Sequence, residues 1–410
     1  MSTMEQKALA YHKAGGAGKI AIEVTKSVST QDDLALAYSP GVAAPCLEIE
    51  RDPAKAYDYT AKGNLVGVIT NGSAVLGLGN IGALAGKPVM EGKVVLFKKF
   101  AGIDAFDIEI DERDPDKLVD IIAALHPTFG GINLEDIKAP ECFYIERKLR
   151  ERLAIPVFHD DQHGTAIVVA AGTLNALTLT GRELATAKIV CSGAGAAAIA
   201  CLELLVDLGA RREHIFVCDS KGVLTTARDL DGEKAAWAQA TSARTLSDVM
   251  AGADVFLGVS GPGVLSPLDV EKMGKSPIVF TLANPEPELR PELVREVAPD
   301  AIIATGRSDY PNQINNALCF PYLFRAALDC GASTINQEMK RACVMALAEM
   351  ARGDARFGKD YVVPGLLDPR LLSGVTPKIA AAALRSGVAR KRLDESEYAA
   401  DLEDLAASLL

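Results

Sequence analysis

The chain has 410 residues, 49% of them hydrophobic and 24% charged, the profile of a folded globular protein with room for about two domains. Its formal net charge of −11 speaks against nucleic acid or an anionic membrane as the main partner, but leaves room for an anionic small molecule held by local cations. No apolar run reaches the ~18 residues of a membrane span and no signal-peptide pattern opens the chain, while the eight cysteines have no Cys-x-x-Cys spacing, so buried thiols in a cytoplasmic location are expected.

Residues Thr30 to Asp33 can cap a helix that begins near Leu34 and is interrupted at Pro40-Gly41. The segments 64–70 (NLVGVIT) and 74–79 (AVLGLG) read as strands on either side of an Asn71-Gly72 turn. Strands are also predicted at 93–100 (KVVLFKKF) and 106–110 (FDIEI), with a helix at 118–127 stopped by Pro127. From about residue 161 strands and helices alternate. A helix over 165–181 ends at Gly181; a strand at 188–193, a helix at 196–210 and a strand at 214–219 follow, with further strands at 253–260 and 277–285. That alternation predicts a doubly wound parallel sheet, and residues 312–410 read as helical. The expected architecture is α/β with two domains, 1–160 and 161–410, the second of Rossmann type with C-terminal helices.

Two glycine-rich turns compete for a dinucleotide. Gly77-Leu-Gly79-Asn-Ile-Gly82 has the G-x-G-x-x-G spacing, but the residues after it, ALAGKPVMEGK, make a poor crossover helix. Gly193-Ala-Gly195-Ala-Ala-Ala198 lies in a strand–turn–helix–strand unit that ends at Asp219. There Gly193 permits the tight turn, Gly195 lets backbone amides approach a pyrophosphate, and Ala198 allows close helix–strand packing. Asp219 can hold ribose hydroxyls, so the second turn is expected to bind the cofactor and the first to serve as a structural or substrate-side loop.

Upstream, Glu135-Asp136 and Asp160-Asp161 offer hard oxygen ligands. Glu135, Asp136 and Asp161 suit Mg²⁺ or Mn²⁺ with room for water and substrate. The alternative is zinc on His159 and His163, four residues apart. Against it, Gly164 follows directly and the helix is predicted to begin only after the second histidine. One histidine packed in the core and the other hydrogen-bonded nearby is the expected arrangement.

The motifs LAYSPGVAAPC (36–46), GLGNIGALAGKPVMEGK (77–93), FKKFAGID (97–104), INLEDI (132–137) and FHDDQHGTA (158–166) occur in this order, followed by LANPEPE (282–288) and TGRSDYPNQINNALCFPYLFRAALD (305–329). On these the sequence resembles the bacterial malic enzymes over nearly its whole length. It is most similar to the short-subunit type and to the malic enzyme part of a hybrid type in which a phosphotransacetylase-like domain follows. No such module is in this sequence, which is read as a stand-alone or truncated form.

The resemblance implies oxidative decarboxylation of (S)-malate to pyruvate and CO₂ through oxaloacetate, with NADP⁺ or NAD⁺ as acceptor. It implies Tyr38 as general acid and Lys93 as general base, with Asp160 orienting the lysine. Glu135, Asp136 and Asp161 become the metal ligands; Asn284 and Asn315 lie by the cofactor, and Asn316 lies near the substrate carboxylate. A homodimer or dimer of dimers is implied as well.

The apolar run 94–97 beside Lys93 suggests that partial desolvation lowers its pKa into the range of a base. Larger relatives carry a substrate-binding arginine just before the LGLG loop, where this chain reads Gly72-Ser-Ala-Val75. Thr70, Asn71, Asn316 or a cation from a neighbouring subunit stay open for that role. Asp219 argues for NAD, whereas Lys221 can pair with a 2′-phosphate and the resemblance favours NADP. Two other readings are a metal-dependent β-keto-acid lyase with a structural nucleotide and a non-catalytic nucleotide sensor. The intact Tyr38, Lys93 and carboxylate set speak against the sensor.

Overall fold

A computed structural model describes residues 3–15, 18–230 and 232–409. Two parallel sheets organise the chain. The run LVGVIT, β-branched and apolar, forms β1 (Leu65–Thr70), buried along its whole length as a central parallel strand must be. With β2 (Asp104–Glu109), β3 (Gly131–Leu134) and β4 (Val157–His159) it makes a four-stranded sheet ordered β2-β1-β3-β4. The crossovers are the helices Ala83–Ala101, Pro115–Leu125 and Glu141–Arg152. The second of these starts on an Asp114 cap that accepts from the amides of Asp116 and Lys117, with Pro115 at its first position.

The sequence-based expectation fails in one stretch. Residues 74–79 form no strand but a single 3-10 turn, Leu76–Leu78. Residues 93–100, expected as a strand, belong to the Ala83–Ala101 helix, which also takes in the ALAGKPVMEGK segment expected to be a poor helix former. Propensity loses here to packing: Ala83, Gly86, Met90, Val94, Phe97 and Ala101 recur three or four residues apart and form one buried face. At Gly86 this helix packs against the preceding loop, where a Cβ would be in ordinary contact with Val75 Cγ2 at 3.5 Å. Lys93 occupies the same buried face.

The second sheet comprises β5 (Ile189–Ser192), β6 (Ile215–Asp219), β7 (Gly222–Val223), β8 (Val255–Gly258), β9 (Ile278–Thr281) and β10 (Ile302–Thr305), ordered β10-β9-β8-β5-β6-β7. All neighbours are parallel except β6 and β7. The chain leaves β5 toward β6 on one side and later returns to β8 on the other. A crevice therefore opens at the C-terminal ends of β5 and β8, where ligands bind in such sheets.

The two sheets share one continuous apolar core, which includes Val66, Phe97, Ile189 and Phe280. Phe97 stacks edge-on against Phe320 and Phe324, at 4.7 and 5.3 Å between ring centroids, and so ties the Lys93 helix to the helix Phe320–Asp329. The C-terminal region is helical, as expected: Gln337–Arg352, Leu371–Arg385 and Glu395–Leu409 complete it. No helix of the described residues is long and apolar enough to cross a membrane.

Candidate active site at the ends of two sheets

The carboxylates meet because of strand register. Leu134 of β3 pairs with His159 of β4, so the residues that leave the two strands, Glu135-Asp136 and Asp160-Asp161, emerge side by side. One oxygen from each of Glu135, Asp136 and Asp161 lies within 4.8 Å of the others. Glu135 and Asp136 are buried, whereas Asp161 keeps 34% of its side chain open, the side from which a substrate could approach. The Asp136 amide donates to Asp161 Oδ2 at 2.8 Å, and Asn133 Nδ2 donates to Glu135 Oε2 at 2.8 Å. Asp136 holds a left-handed backbone at φ 54°, a conformation that aspartate tolerates better than most residues.

Lys93 enters this cluster from the Ala83–Ala101 helix. Its Nζ lies 2.6 Å from Asp160 Oδ2 and 3.0 Å from Glu135 Oε1, and 4.2 Å from the centroid of the Phe320 ring. The expected downward pKa shift is not found. Burial does push the ammonium that way, but the charges of Asp160 and Glu135 outweigh it and hold Lys93 protonated well above the ordinary lysine range. In the carboxylates burial prevails over the lowering effect of Lys93: it raises Glu135, and it raises Asp160 and Asp161 to about 6. Three carboxylates this close repel one another, and as hard oxygen donors they match a divalent cation such as Mg²⁺ or Mn²⁺.

The helix bearing Asp160 and Asp161 spans Asp160–Thr180 and so begins five residues earlier than expected. Its N-terminal partial positive charge favours both aspartates in the first turn. Gly164 makes the turn compact: a Cβ there would come 2.0 Å from Asp160 Oδ1 and 2.9 Å from the Asn316 Cβ. Asn316 thus stands directly beside the Lys93 partner. Asn315 Oδ1 accepts from the Ala317 amide and caps its own turn.

His159 is fully buried in the core, and His163 is bonded to Glu146, which matches the expected division of the histidines. Glu146, on the Glu141–Arg152 helix, is a residue that sequence reasoning missed. Its carboxylate accepts from His163 Nε2 at 2.8 and 2.9 Å and from the His159 amide at 3.3 Å, bracketing the two aspartates. Burial keeps His163 neutral, down at about 4. Burial opposes the Glu146 charge too, but His163 and Lys340 override it and hold the carboxyl at about 2. The only sequence signal for Glu146 is a charged residue on the apolar face of its helix, between Cys142, Ile145 and Leu149.

At the crevice of the second sheet lies a cavity of about 960 Å³, lined by Gly193, Ala194 and Gly195 after β5, Asp219 and Ser220 after β6, and Ser260 and Gly261 after β8. Gly193 has φ 121°, and a Cβ on it would meet Val259 O at 2.5 Å; nothing lies within 4 Å of a Cβ on Gly195, the N-cap of the Ala196–Asp207 helix. One glycine is needed for the turn and the other leaves space above the helix N-terminus. Ala198 is buried where that helix meets the sheet.

Asp219 is not free: Arg228 Nη2 is 2.8 Å from its Oδ2 and Lys234 Nζ 3.5 Å. Lys234, which sequence reasoning did not single out, also lines the cavity, while the Lys221 amide donates to Asp219 Oδ1 at 2.9 Å. Ala139 and Pro140, just past Asp136, line the same cavity and bring it toward the carboxylates. The 77–82 loop approaches from the other side: a Cβ on Gly77 would lie 2.5 Å from Asn284 O. Tyr38 is the one expected catalytic residue that is not gathered in; it is 72% exposed and its hydroxyl bonds to no described residue.

Residues 17–150 match the family described as malic enzyme, N-terminal domain, and residues 162–386 the malic enzyme NAD binding domain. The chain is 59% identical over 414 residues to an NADP-dependent malic enzyme of Escherichia coli (strain K12), covering 97% of this chain and 54% of that one. It is 58% identical over 407 residues to an NAD-dependent malic enzyme of Rhizobium meliloti (strain 1021), covering 96% and 53%. The chain thus spans about half the length of these curated relatives. The crystal structure of malic enzyme from Pyrococcus horikoshii Ot3 superposes with a TM-score of 0.91 at 44% identity, covering 100% of this chain and 98% of that one. With both family regions matched and a solved relative matched end to end, this chain belongs to the malic enzyme family.

Proposed function

We propose that the chain catalyses the metal-dependent oxidative decarboxylation of (S)-malate to pyruvate and CO₂, with reduction of NADP⁺. The observation that carries this reading is Lys93, bridging Asp160 and Glu135 within a carboxylate cluster beside a dinucleotide crevice. Glu135, Asp136 and Asp161 would hold Mg²⁺ or Mn²⁺. When bound, such a cation polarises the C2 oxygen, stabilises the charge left by decarboxylation, and offsets the carboxylates that keep Lys93 protonated.

Lys93 accepts the C2 hydroxyl proton as a hydride leaves C2 for the nicotinamide, which gives oxaloacetate. The C3–C4 bond then breaks, CO₂ departs, and the electron pair becomes the enolate of pyruvate. Tyr38 delivers a proton to C3 and regains one from Lys93, so the hydroxyl proton ends on the product methyl group. Asp160 holds the lysine aimed at the substrate, and Asn316 stands where it can meet the substrate carboxylate.

NADP⁺ is favoured over NAD⁺ because the Asp219 charge is already compensated by Arg228 and Lys234. A carboxylate so occupied repels a 2′-phosphate less, and Lys234 offers it a cation. Relatives of nearly equal identity carry names for either cofactor, so this local charge pattern and not the overall similarity is the argument. The free cysteines support a reducing, cytoplasmic setting, and a homodimer or dimer of dimers is the assembly we propose.

The test is malate-dependent formation of NADPH in the presence of Mn²⁺, which chelation should abolish. Lys93→Ala should lower kcat by about 10²-fold or more, the scale of a lost general base. Turnover of malate by Lys93→Ala at the wild-type rate would sink the mechanism. Release of CO₂ from oxaloacetate with no malate-dependent nucleotide reduction would instead favour a lyase.

A further inference from the structure

The turn that carries Asp160 and Asp161 has no cap of its own. His159 is the N-cap of the Asp160–Thr180 helix, and its side chain makes no capping bond. The first amides of a helix have no partner inside it, so an end that must hold two carboxylates in register needs a tie from elsewhere. The crossover helix Glu141–Arg152 supplies one. It leads from β3 into β4 and buries Glu146 together with Cys142, Ile145 and Leu149.

Glu146 Oε1 accepts from the His159 amide at 3.3 Å and from His163 Nε2 at 2.9 Å, and its Oε2 lies 2.8 Å from the same ring nitrogen. In a capping box the glutamate that reaches back to the N-cap amide is the third residue of its own helix. Here the third residue is Gln162, and the carboxylate arrives from another helix. Its two anchor points, His159 and His163, lie on either side of Asp160 and Asp161. Those aspartates face different partners: Asp160 Oδ2 is 2.6 Å from Lys93 Nζ, and Asp161 Oδ2 accepts from the Asp136 amide at 2.8 Å.

Stability alone does not account for this arrangement. Glu146 is only 6% exposed, and well-packed apolar side chains often hold two helices as firmly as a buried charge does. The fold keeps the charge nonetheless, with the buried Lys340 of the Gln337–Arg352 helix as a compensating cation. What a carboxylate provides and a leucine does not is direction. Its two acceptor oxygens fix where the His159 amide and the His163 ring can lie.

We propose that Glu146 and His163 are positioning residues for the reaction: they clamp the first turn of the Asp160–Thr180 helix so that Asp160 meets Lys93 while Asp161 meets Glu135 and Asp136. Neither residue belongs to the carboxylate cluster, and both act through the turn between them. A shift of that turn by about 1 Å would misplace both aspartates at once. The inference rests on the metal cluster and the role of Lys93 proposed above.

The experiment compares Glu146→Leu, Glu146→Leu/His163→Leu and Glu146→Gln with the wild-type chain. The double variant leaves no buried polar group unpaired, and it is the one read if Glu146→Leu alone does not fold. Mn²⁺ affinity is read from the electron paramagnetic resonance of the free ion, alongside kcat, the Kd for NADP⁺ and Tm. Both leucine variants should bind Mn²⁺ about 10- to 100-fold more weakly and lose kcat on the same scale, the usual effect of removing a group that orients ligands. The double variant should cost no more than Glu146→Leu, because the two residues act as one unit. Glu146→Gln should recover most of both quantities: its oxygen can accept from the His159 amide, and its NH₂ can donate to the other tautomer of His163. The Kd for NADP⁺ should stay at the wild-type value throughout. A folded double variant with wild-type Mn²⁺ affinity and kcat overturns the proposal. So does a glutamine variant as impaired as the leucine one, since charge and not placement would then be what the site needs. A parallel rise in the Kd for NADP⁺ overturns it as well, by showing a general loosening of the fold. A wild-type chain that binds no Mn²⁺ would instead remove the metal cluster itself, and the inference with it.

Discussion

Lys93 and Asp219 are both charged residues whose meaning depends on their neighbours. An isolated buried lysine loses its proton easily, but Asp160 and Glu135 reverse the sign of that effect at Lys93. At Asp219, Arg228 is itself fixed by the carbonyls of Gly222 and Val223 at 3.0 Å, so the carboxylate is held in place and neutralised together. Lys234 is the partner left able to reach a ligand. We predict that Lys234→Ala lowers kcat/KM for NADP⁺ by about tenfold, the loss of one charge-assisted bond to phosphate, while kcat/KM for NAD⁺ changes little. Steady-state kinetics with both cofactors check this; an equal fall for both would mean that the lysine serves stability or the shared part of the nucleotide.

Among the elements, the Asp160–Thr180 helix is where local preference and tertiary packing disagree. Gly164 sits in its first turns, and replacing it by alanine should stabilise an isolated helix by up to about 1 kcal/mol. In this fold the new methyl group would collide with Asp160 Oδ1 and the Asn316 Cβ. Gly164→Ala is therefore predicted to reduce kcat by on the order of 10²-fold, the effect of displacing a catalytic partner by about 1 Å. Unchanged kcat with a raised Tm would show that the helix shifts without disturbing the site. The Glu146 bracket acts on the same turn from outside, joining the His159 amide and the His163 ring across the two aspartates.

For the whole molecule, the metal cluster unites elements that lie far apart in sequence. Glu135 and Asp136 follow β3, Asp161 follows β4, and the lysine comes from the crossover after β1. A cation bound there stabilises the folded state alone, because the unfolded chain has no such grouping. Mn²⁺ at a hundred times its Kd should add about 2.7 kcal/mol to stability, read as a rise in Tm. Asp161→Asn should remove most of that rise, and a rise of the same size in this variant would mean that the ion binds elsewhere. Asp161 suits this test because its side chain is the most open of the three.

Much of this protein was legible from the sequence because it rests on local pattern. Alternating apolar runs gave the second sheet, and the Gly193–Ala198 turn marked its crevice. The paired acids announced an oxygen-donor cluster, and the division of the histidines, one packed in the core and one hydrogen-bonded, was expected as well. The sequence misread 74–100, where β-branched residues and Pro88 speak against the helix that burial of one face requires. What only the tertiary structure decided was relational. The Leu134–His159 register brings two acidic pairs together, Phe97 and Phe320 dock the Lys93 helix, and nearby carboxylates set the charge of that lysine. The same holds for Lys234 beside Asp219, and for a Tyr38 left in solvent. Periodicity and turn chemistry act between residues a few positions apart, so a sequence displays them directly. Electrostatics and packing act through space, between residues that only folding makes neighbours.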